Sequence, residues 1–235
     1  MKPNVNFTGL AMGHTAISFN FDKKRKLEKT SVETPLIIEF HKIMNSREIR
    51  DEIVSLICQQ NQKIVDKITT PEVPILPKDV TFIGIGMIGS ALAVLASKEH
   101  NNHVLFVDEG DTKSMEFYRG NNCLFIKDEI VNGTKTIEII SEAQRLGHKT
   151  LGIITIMNEN LPLTRERFMG KSGVDKTKLP IPCPIYSILT PQKIYKELIE
   201  LEQKETADRY QAASNFDITD NEEISKNDTQ QGAAS

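Results

Sequence analysis

The sequence has few cysteines, little net charge and no long apolar run, and each shortage argues against a class of protein. Its three cysteines, Cys58, Cys123 and Cys183, lie far apart among apolar neighbours, unlike a disulfide framework or a zinc site. A formal net charge of −3 provides no broad basic field, so neither nucleic acid nor an anionic membrane is expected as the main partner. No apolar run approaches the roughly 18 residues of a membrane span, and the N-terminus lacks an apolar signal core. We therefore expect a cytoplasmic protein with reduced cysteines.

The chain does contain strands that alternate with helices. Apolar strands are predicted over residues 80–85, 103–107, 123–126 and 151–157, and helical patterns separate them. Such alternation predicts an α/β fold with a mainly parallel sheet flanked by helices on both faces. A hydrophobic content of 39% is enough for one core of ordinary size.

Changes in composition divide the chain into three segments. Residues 1–77 hold a short strand, an amphipathic helix that begins after Ser46, and three closing prolines. Residues 78–205 form the α/β core with a C-terminal helix, and its part from 158 to 183 is predicted to be an irregular surface excursion. Residues 206–235 are rich in Asp, Asn, Gln, Glu and Ser, which predicts an acidic, disordered tail. A basic cluster at residues 23–26 is predicted to be a solvated turn.

The most informative segment runs from Cys123 to Thr136. An apolar strand leads to two acids, two apolar residues, and a loop of small and hydroxyl residues that opens a helix. Backbone N–H groups, hydroxyls and the helix dipole can then face one phosphate, while the acids suit the vicinal hydroxyls of a ribose. An ordinary strand–turn–helix joint with a capping Asn or Thr is the alternative. The candidate residues are Asp128, Glu129, Asn132, Gly133, Thr134, Lys135 and Thr136.

A second glycine-rich joint follows the strand at 80–85. Gly84, Gly86 and Gly89, followed by Ser90, satisfy G-x-G-x-x-G, and Asp108 ends the next strand. This pattern is typical of dinucleotide binding, although too little chain remains for a separate substrate domain. The alternative is a pyrophosphate cradle beside the phosphate loop, so that one ligand bridges the two. Both joints are expected beyond the carboxyl ends of parallel strands, where ligands of such sheets bind.

Four segments in order resemble the phosphoribosyltransferases, and orotate phosphoribosyltransferase in particular. Residues 29–41 are similar to the stretch that helps to hold the base, and residues 83–93 to the pyrophosphate loop. Residues 127–136 occupy the place of the signature motif, and residues 184–190 resemble the closing Pro-x-x-Ser-Leu-x-Thr segment. The resemblance implies a type I phosphoribosyltransferase-like fold with a small N-terminal hood.

The resemblance also implies a ligand set and a partner. The ligands are phosphoribosyl pyrophosphate, a nitrogenous base and Mg²⁺, with the metal held through the ligand and so only indirectly by Asp128. Lys29 and Thr34 join the substrate-binding residues, and Asp128 and Glu129 join Lys113 as catalytic candidates. The expected assembly is a homodimer.

Departures from the family pattern reduce the expected activity. Glu129 stands where Asp is usual, Lys135 adds bulk to the phosphate loop, and residues 108–115 are acidic where the family has Arg-Lys and a mobile Lys-x-His-Gly loop. Loss of one preorganised donor at a developing charge costs about 3 to 4 kcal/mol. Lys113 is a candidate replacement cation, and weak or absent orotate activity is predicted.

Three hypotheses follow. The first is a phosphoribosyltransferase that transfers ribosyl 5-phosphate to a nitrogenous base, with orotate as the first candidate. The second is a catalytically impaired relative that acts as a ligand-binding or partner subunit. The third is an NAD-binding Rossmann protein, on the glycine pattern alone.

Overall fold

The N-terminal part of the chain forms a small hood and a long helix. The computed structural model describes residues 6–27, 33–108, 115–116, 122–159, 162–169, 179, 181–214 and 216. The first elements are α1 (Phe7–Gly13), β1 (Ile17–Phe19), β2 (Arg25–Lys26), β3 (Glu33–Thr34), β4 (Leu36–Ile38), α2 (Phe40–Asn45) and α3 (Arg47–Ile68). Two antiparallel pairs, β1 with β4 and β2 with β3, build the hood.

A five-stranded parallel sheet forms the rest of the core. A short 3-10 turn, Pro77–Asp79, leads into it. The elements that follow are β5 (Val80–Ile85), α4 (Gly86–His100), β6 (Val104–Val107), β7 (Asn122–Ile130), α5 (Thr134–Arg145), β8 (Lys149–Asn158), α6 (Pro162–Phe168), β9 (Ile185–Leu189), α7 (Pro191–Glu200) and α8 (Lys204–Ser214). The strand order is β6-β5-β7-β8-β9 with every pair parallel, which confirms the predicted α/β architecture.

Helix α3 covers one face of the sheet, as its amphipathic pattern predicts. The Ser46 hydroxyl accepts a hydrogen bond from the Ile49 N–H and so caps the helix. Ile49, Ile53 and Ile57 are fully buried in a core that includes sheet residues of β7 and β8. A separate apolar cluster on the other face joins β7 to α5 and α6. Since β7 is covered on both faces, its near-continuous apolar sequence is what a central parallel strand requires.

Two element boundaries differ from those expected, and both differences shape the rim of the sheet. Strand β7 continues beyond residue 126 because its pairing with β8 continues, with Glu129 opposite Met157. The two acids therefore lie within the strand. Helix α4 begins at Gly86, directly after β5, so that Gly89 lies in its first turn and Ser90 follows within the helix rather than in a loop.

The expected disorder from residue 206 is wrong for the first part of that segment, because α8 spans Lys204–Ser214. Tyr210 is fully buried, and its ring lies 5.2 Å from that of Phe19 in the hood and 5.3 Å from that of Phe216. Tertiary packing of one apolar face outweighs a polar composition. The predicted tail beyond residue 216 falls outside the described part of the chain.

Two expectations drawn from the scarcity of cysteine and of apolar runs can be compared with the structure. All three cysteines are buried, as predicted for core residues, and none of them forms a disulfide. None of the helices in the described ranges combines the length and the apolar character that a bilayer span requires.

Gly89 provides a test of how closely α4 approaches the sheet. A Cβ atom on Gly89 would overlap the carbonyl oxygen of Ile126 in β7, and a backbone carbonyl has little room to move. We expect Gly89→Ala to lower the free energy of unfolding by about 1 to 3 kcal/mol through overpacking. Gly13→Ala is the control, since nothing lies within 4 Å of its added Cβ. Urea titration measures both, and equal stability of Gly89→Ala and wild type would contradict the close approach.

Candidate functional site

The two glycine-bearing joints are neighbours at the carboxyl edge of the sheet, as predicted. Strands β5 and β7 are adjacent and parallel, with Gly84 opposite Ile126. Counted from β5, the strand order is 2-1-3-4-5, and such sheets bind ligands at the switch point between the first and third strands. The N-termini of α4 and α5 flank this switch point. The order differs from the 3-2-1-4-5-6 arrangement of dinucleotide-binding domains, which argues against the NAD hypothesis.

The four candidates of the first joint differ in what they can do. Gly84 and Gly89 are buried, and added Cβ atoms would strike backbone atoms of α4 and β7 respectively, so both serve close packing. The Ser90 hydroxyl donates to the Gly84 carbonyl at 3.3 Å. Gly86 has a φ of +68° with open space around its Cα. Its backbone is therefore the part of this joint that a ligand can approach most closely.

The second joint forms a compact seat at the start of α5. Gly133 has a φ of +72° and precedes the helix, and the Asn132 side-chain oxygen accepts the Thr134 N–H at 3.0 Å. A cavity of about 230 Å³ is lined by residues 127–136. Thr136 is buried, whereas the Lys135 side chain is exposed. The unpaired N–H groups of a helix N-terminus suit an anion.

Helix α6 supports this seat from behind, although the sequence predicted only an irregular excursion there. The Thr164 hydroxyl donates to the Val131 carbonyl at 2.7 Å. Arg167 donates from Nη1 to the Asn132 carbonyl at 2.9 Å and to Thr134 Oγ1 at 3.0 Å. The Phe168 ring fills the space where Gly133 lacks a side chain. Four contacts therefore fix the backbone of the loop.

Asp128 faces the rim of the sheet. Its side chain is 32% exposed, and its Oδ1 accepts the Glu129 N–H at 2.8 Å and lies 3.7 Å from Lys127 Nζ. The Thr155 hydroxyl donates to the Asp128 carbonyl at 3.0 Å, which fixes the backbone. The carboxylate is thus held in place, with an edge available to hydroxyl donors of a ligand.

Glu129 is not available in the same way, because Arg25 of the hood binds it with both terminal nitrogens. The Arg25 Nη2 atom lies 2.7 Å from Glu129 Oε1 and 3.1 Å from Glu159 Oε1, and Nη1 lies 3.3 Å from Glu129 Oε2. The basic cluster at residues 23–26 is therefore more than the predicted solvated turn. One guanidinium joins the hood to the ends of β7 and β8.

Glu159 is the most buried carboxyl group of this cluster, with a side chain only 4% exposed. Burial above all, and the neighbouring Glu129 carboxylate, raise its pKa from the ordinary 4.5 to about 7, although Arg25 acts in the opposite direction. Tyr210 of α8 also faces the cluster. The position therefore exchanges a proton near neutral pH.

Thr34, a further predicted site residue, is not part of this arrangement. Thr34 is 2% exposed, and its hydroxyl accepts the Leu36 N–H at 3.2 Å, so it serves the hood rather than the rim. Lys29 and Lys113 are not among the residues that the structure describes. Sequence reasoning missed Arg25, Glu159 and Arg167. Only Glu159 carried a signal, since it directly follows a core strand at the carboxyl edge.

No group of three His, Cys, Asp or Glu side chains in the described segments could hold a metal ion. The Asp128 carboxylate fits Mg²⁺ that arrives with a phosphate ligand, because Mg²⁺ in proteins keeps waters and is commonly held by one or two carboxylates together with substrate phosphates.

The raised pKa of Glu159 has a consequence for stability. A folded-state pKa above the unfolded value adds stability at low pH that is lost as the pH rises from about 4.5 to 7. As the pH rises from 4.5 to 7.5, we expect the free energy of unfolding of Glu159→Gln to increase by up to about 3 kcal/mol relative to that of wild type. Urea titrations at the two pH values measure this gain, and parallel pH profiles for the two proteins would contradict it.

Comparisons with known proteins show a match in structure but not in sequence. No family model matches the chain, and no curated protein is similar enough in sequence to match. The Leishmania donovani UMP synthase structure matches 89% of this chain with a TM-score of 0.63 at 13% identity, and the match spans 42% of that chain. Orotate phosphoribosyltransferase from Aeropyrum pernix matches 83% of this chain and 98% of its own, with a TM-score of 0.57 at 9% identity.

Adenine phosphoribosyltransferase from Saccharomyces cerevisiae matches 78% of this chain and 98% of its own, with a TM-score of 0.53 at 11% identity. Orotate and adenine enzymes thus share one architecture with this protein. The chain has the type I phosphoribosyltransferase fold.

Proposed function

We propose that the protein binds phosphoribosyl pyrophosphate and transfers its ribosyl 5-phosphate to a nitrogenous base. The observation that supports this most is the pair of helix N-termini, of α4 and α5, on adjacent strands at the switch point of the sheet. Two such termini suit two phosphate groups. Asp128 at the same rim provides an acceptor for sugar hydroxyls.

In this proposal, each group of phosphoribosyl pyrophosphate binds a different part of the rim. The 5-phosphate occupies the seat at residues 132–134, and the pyrophosphate lies against the backbone at Gly86. Asp128 accepts hydrogen bonds from the ribose hydroxyls. Glu129 acts mainly by holding Arg25, since both of its oxygens are engaged. Mg²⁺ bound to the pyrophosphate supplies positive charge that offsets the charge of the leaving group.

The transfer forms a bond between a ring nitrogen of the base and C1 of the ribose as the bond from C1 to the pyrophosphate oxygen breaks. Pyrophosphate leaves with the bonding electrons, and the proton of the base nitrogen passes to the departing pyrophosphate or to water. The ribose ring carries positive charge in the transition state, which the Asp128 carboxylate stabilises by proximity. Lys113 stays a predicted cation for the leaving group.

The charges where the hood meets the sheet, those of Arg25, Glu129 and Glu159, affect which base can bind. Orotate is the first candidate on the resemblance, but it carries a carboxylate, and Arg25 is already bound by two carboxylates, Glu129 and Glu159. An anionic base would face both. An uncharged base such as adenine is the second candidate.

The second functional hypothesis is a catalytically impaired relative that binds the same ligand as a sensor or partner subunit. The acidic residues after β6 and the engagement of Glu129 by Arg25 favour it. Turnover separates the two hypotheses, because only the enzyme releases pyrophosphate. The proposed homodimer is tested by sedimentation at equilibrium.

Binding is the first test of the proposal. Calorimetric titration with phosphoribosyl pyrophosphate and Mg²⁺ should show saturable binding, and Asp128→Asn should weaken it about 10- to 100-fold through loss of charge-assisted hydrogen bonds. Asp51→Asn, on the exposed side of α3, is the matched control and should leave the affinity unchanged. Absence of heat and of a thermal shift at millimolar ligand would contradict the proposal.

Turnover is then measured with the same protein. Release of pyrophosphate with adenine but not with orotate would support an uncharged base. Binding without release for orotate, other pyrimidines and purines would assign the protein to the non-catalytic class.

A further inference from the structure

Arg167 lies beside the phosphate seat and makes no ion pair within the described ranges. Its Nη1 donates to one backbone carbonyl, of Asn132, and to one hydroxyl, of Thr134. Its Nε is buried and has no hydrogen-bond partner among the described residues. A partly buried guanidinium without a described counter-ion is stabilised by an anion close to it.

The hydroxyl of Thr134 links this cation to the cavity. Because Thr134 Oγ1 accepts a hydrogen bond from Arg167, its own hydrogen is free to be donated elsewhere. Thr134 is the first residue of α5 and lines the cavity of the seat. A phosphate oxygen in that cavity can accept this hydrogen, and a chain of hydrogen bonds that starts from a cation is stronger than its separate links.

Helix α6 holds Arg167 in this position. Thr164 is bonded to the Val131 carbonyl, and Phe168 packs against Gly133, on either side of the Arg167 contacts. The Arg167 carbonyl accepts the Leu179 N–H at 3.0 Å, which ties the helix to the chain that follows. The guanidinium is therefore preorganised before a ligand arrives, and its alignment costs little on binding.

We propose that Arg167 is a positioning residue of the phosphate seat, which polarises the Thr134 hydroxyl and makes the seat selective for a phosphomonoester dianion. The inference rests on the proposed function. It implies that the positive charge that recognises the 5-phosphate comes from Arg167 of α6. The α4 joint, which binds the pyrophosphate, lies across the switch point and does not depend on Arg167.

The experiment compares two probes, ribose 5-phosphate and pyrophosphate with Mg²⁺, by calorimetric titration. Arg167→Gln should weaken ribose 5-phosphate binding about 10- to 100-fold, with pyrophosphate affinity changed less than about twofold. Arg167→Lys should recover part of the loss, since it keeps the charge but not the forked geometry. Arg145→Gln, an exposed residue of α5 paired with Glu142, is the control and should match wild type.

Thr134→Val breaks the proposed link without changing Arg167, and Thr134→Ser keeps it. The valine variant should show the same selective loss as Arg167→Gln, and the serine variant, which keeps the hydroxyl, should recover most of that loss. This pair decides the matter if Arg167→Gln fails to fold.

The other outcomes are distinct. Equal affinity of wild type and Arg167→Gln for ribose 5-phosphate, or equal losses for both probes, would overturn the role of Arg167 and leave the proposed function intact. Failure of the wild type to bind either probe would overturn the proposed function and this inference together.

Discussion

The close approach of helix α4 to strand β7 is the constraint on which the site depends. Gly89 has no side chain where the Ile126 carbonyl lies, and Gly84 has none where the backbone of α4 returns. These two absences let β5 lie beside β7 while its following helix still packs against the sheet. The start of α4 and the start of α5 then follow adjacent parallel strands at the same edge of the sheet.

Charge is divided across this rim in a way that matches a sugar phosphate. Carboxylates gather at the ends of β7 and β8, where Asp128, Glu129 and Glu159 lie. Donors gather at the start of α5, where backbone N–H groups and the Arg167 guanidinium lie. Sugar hydroxyls donate hydrogen bonds and phosphate oxygens accept them, so a ribose phosphate has one end suited to each group. The Arg25 guanidinium offsets part of the negative charge of these carboxylates.

Periodicity and joint chemistry were sufficient to predict the sheet, helix α3 and both glycine-bearing joints. These features depend on local rules, namely apolar spacing, glycine at close approaches and small residues before a helix. Arg25, Arg167 and α8 could not be found in this way. Their partners are distant in sequence. A run of basic residues does not show which of them will bind a distant carboxylate, and a polar tail does not show which residue will pack against a distant aromatic ring. Glu159 could be found only in part, because the sequence shows that it follows a core strand but does not show that its side chain is buried.

The pairing of Arg25 with Glu159 joins positions 134 residues apart, and the contact between Thr34 and Ser214 joins positions 180 residues apart. Contacts of such long sequence separation form late, since the chain entropy lost in closing them is recovered only when the intervening sheet exists. Docking of the hood on α8, the last helix in the described part of the chain, is therefore expected late in folding. Until the hood docks, Glu129 and Glu159 lack the Arg25 guanidinium, so the charge balance of the rim is reached only after the hood and the sheet have met.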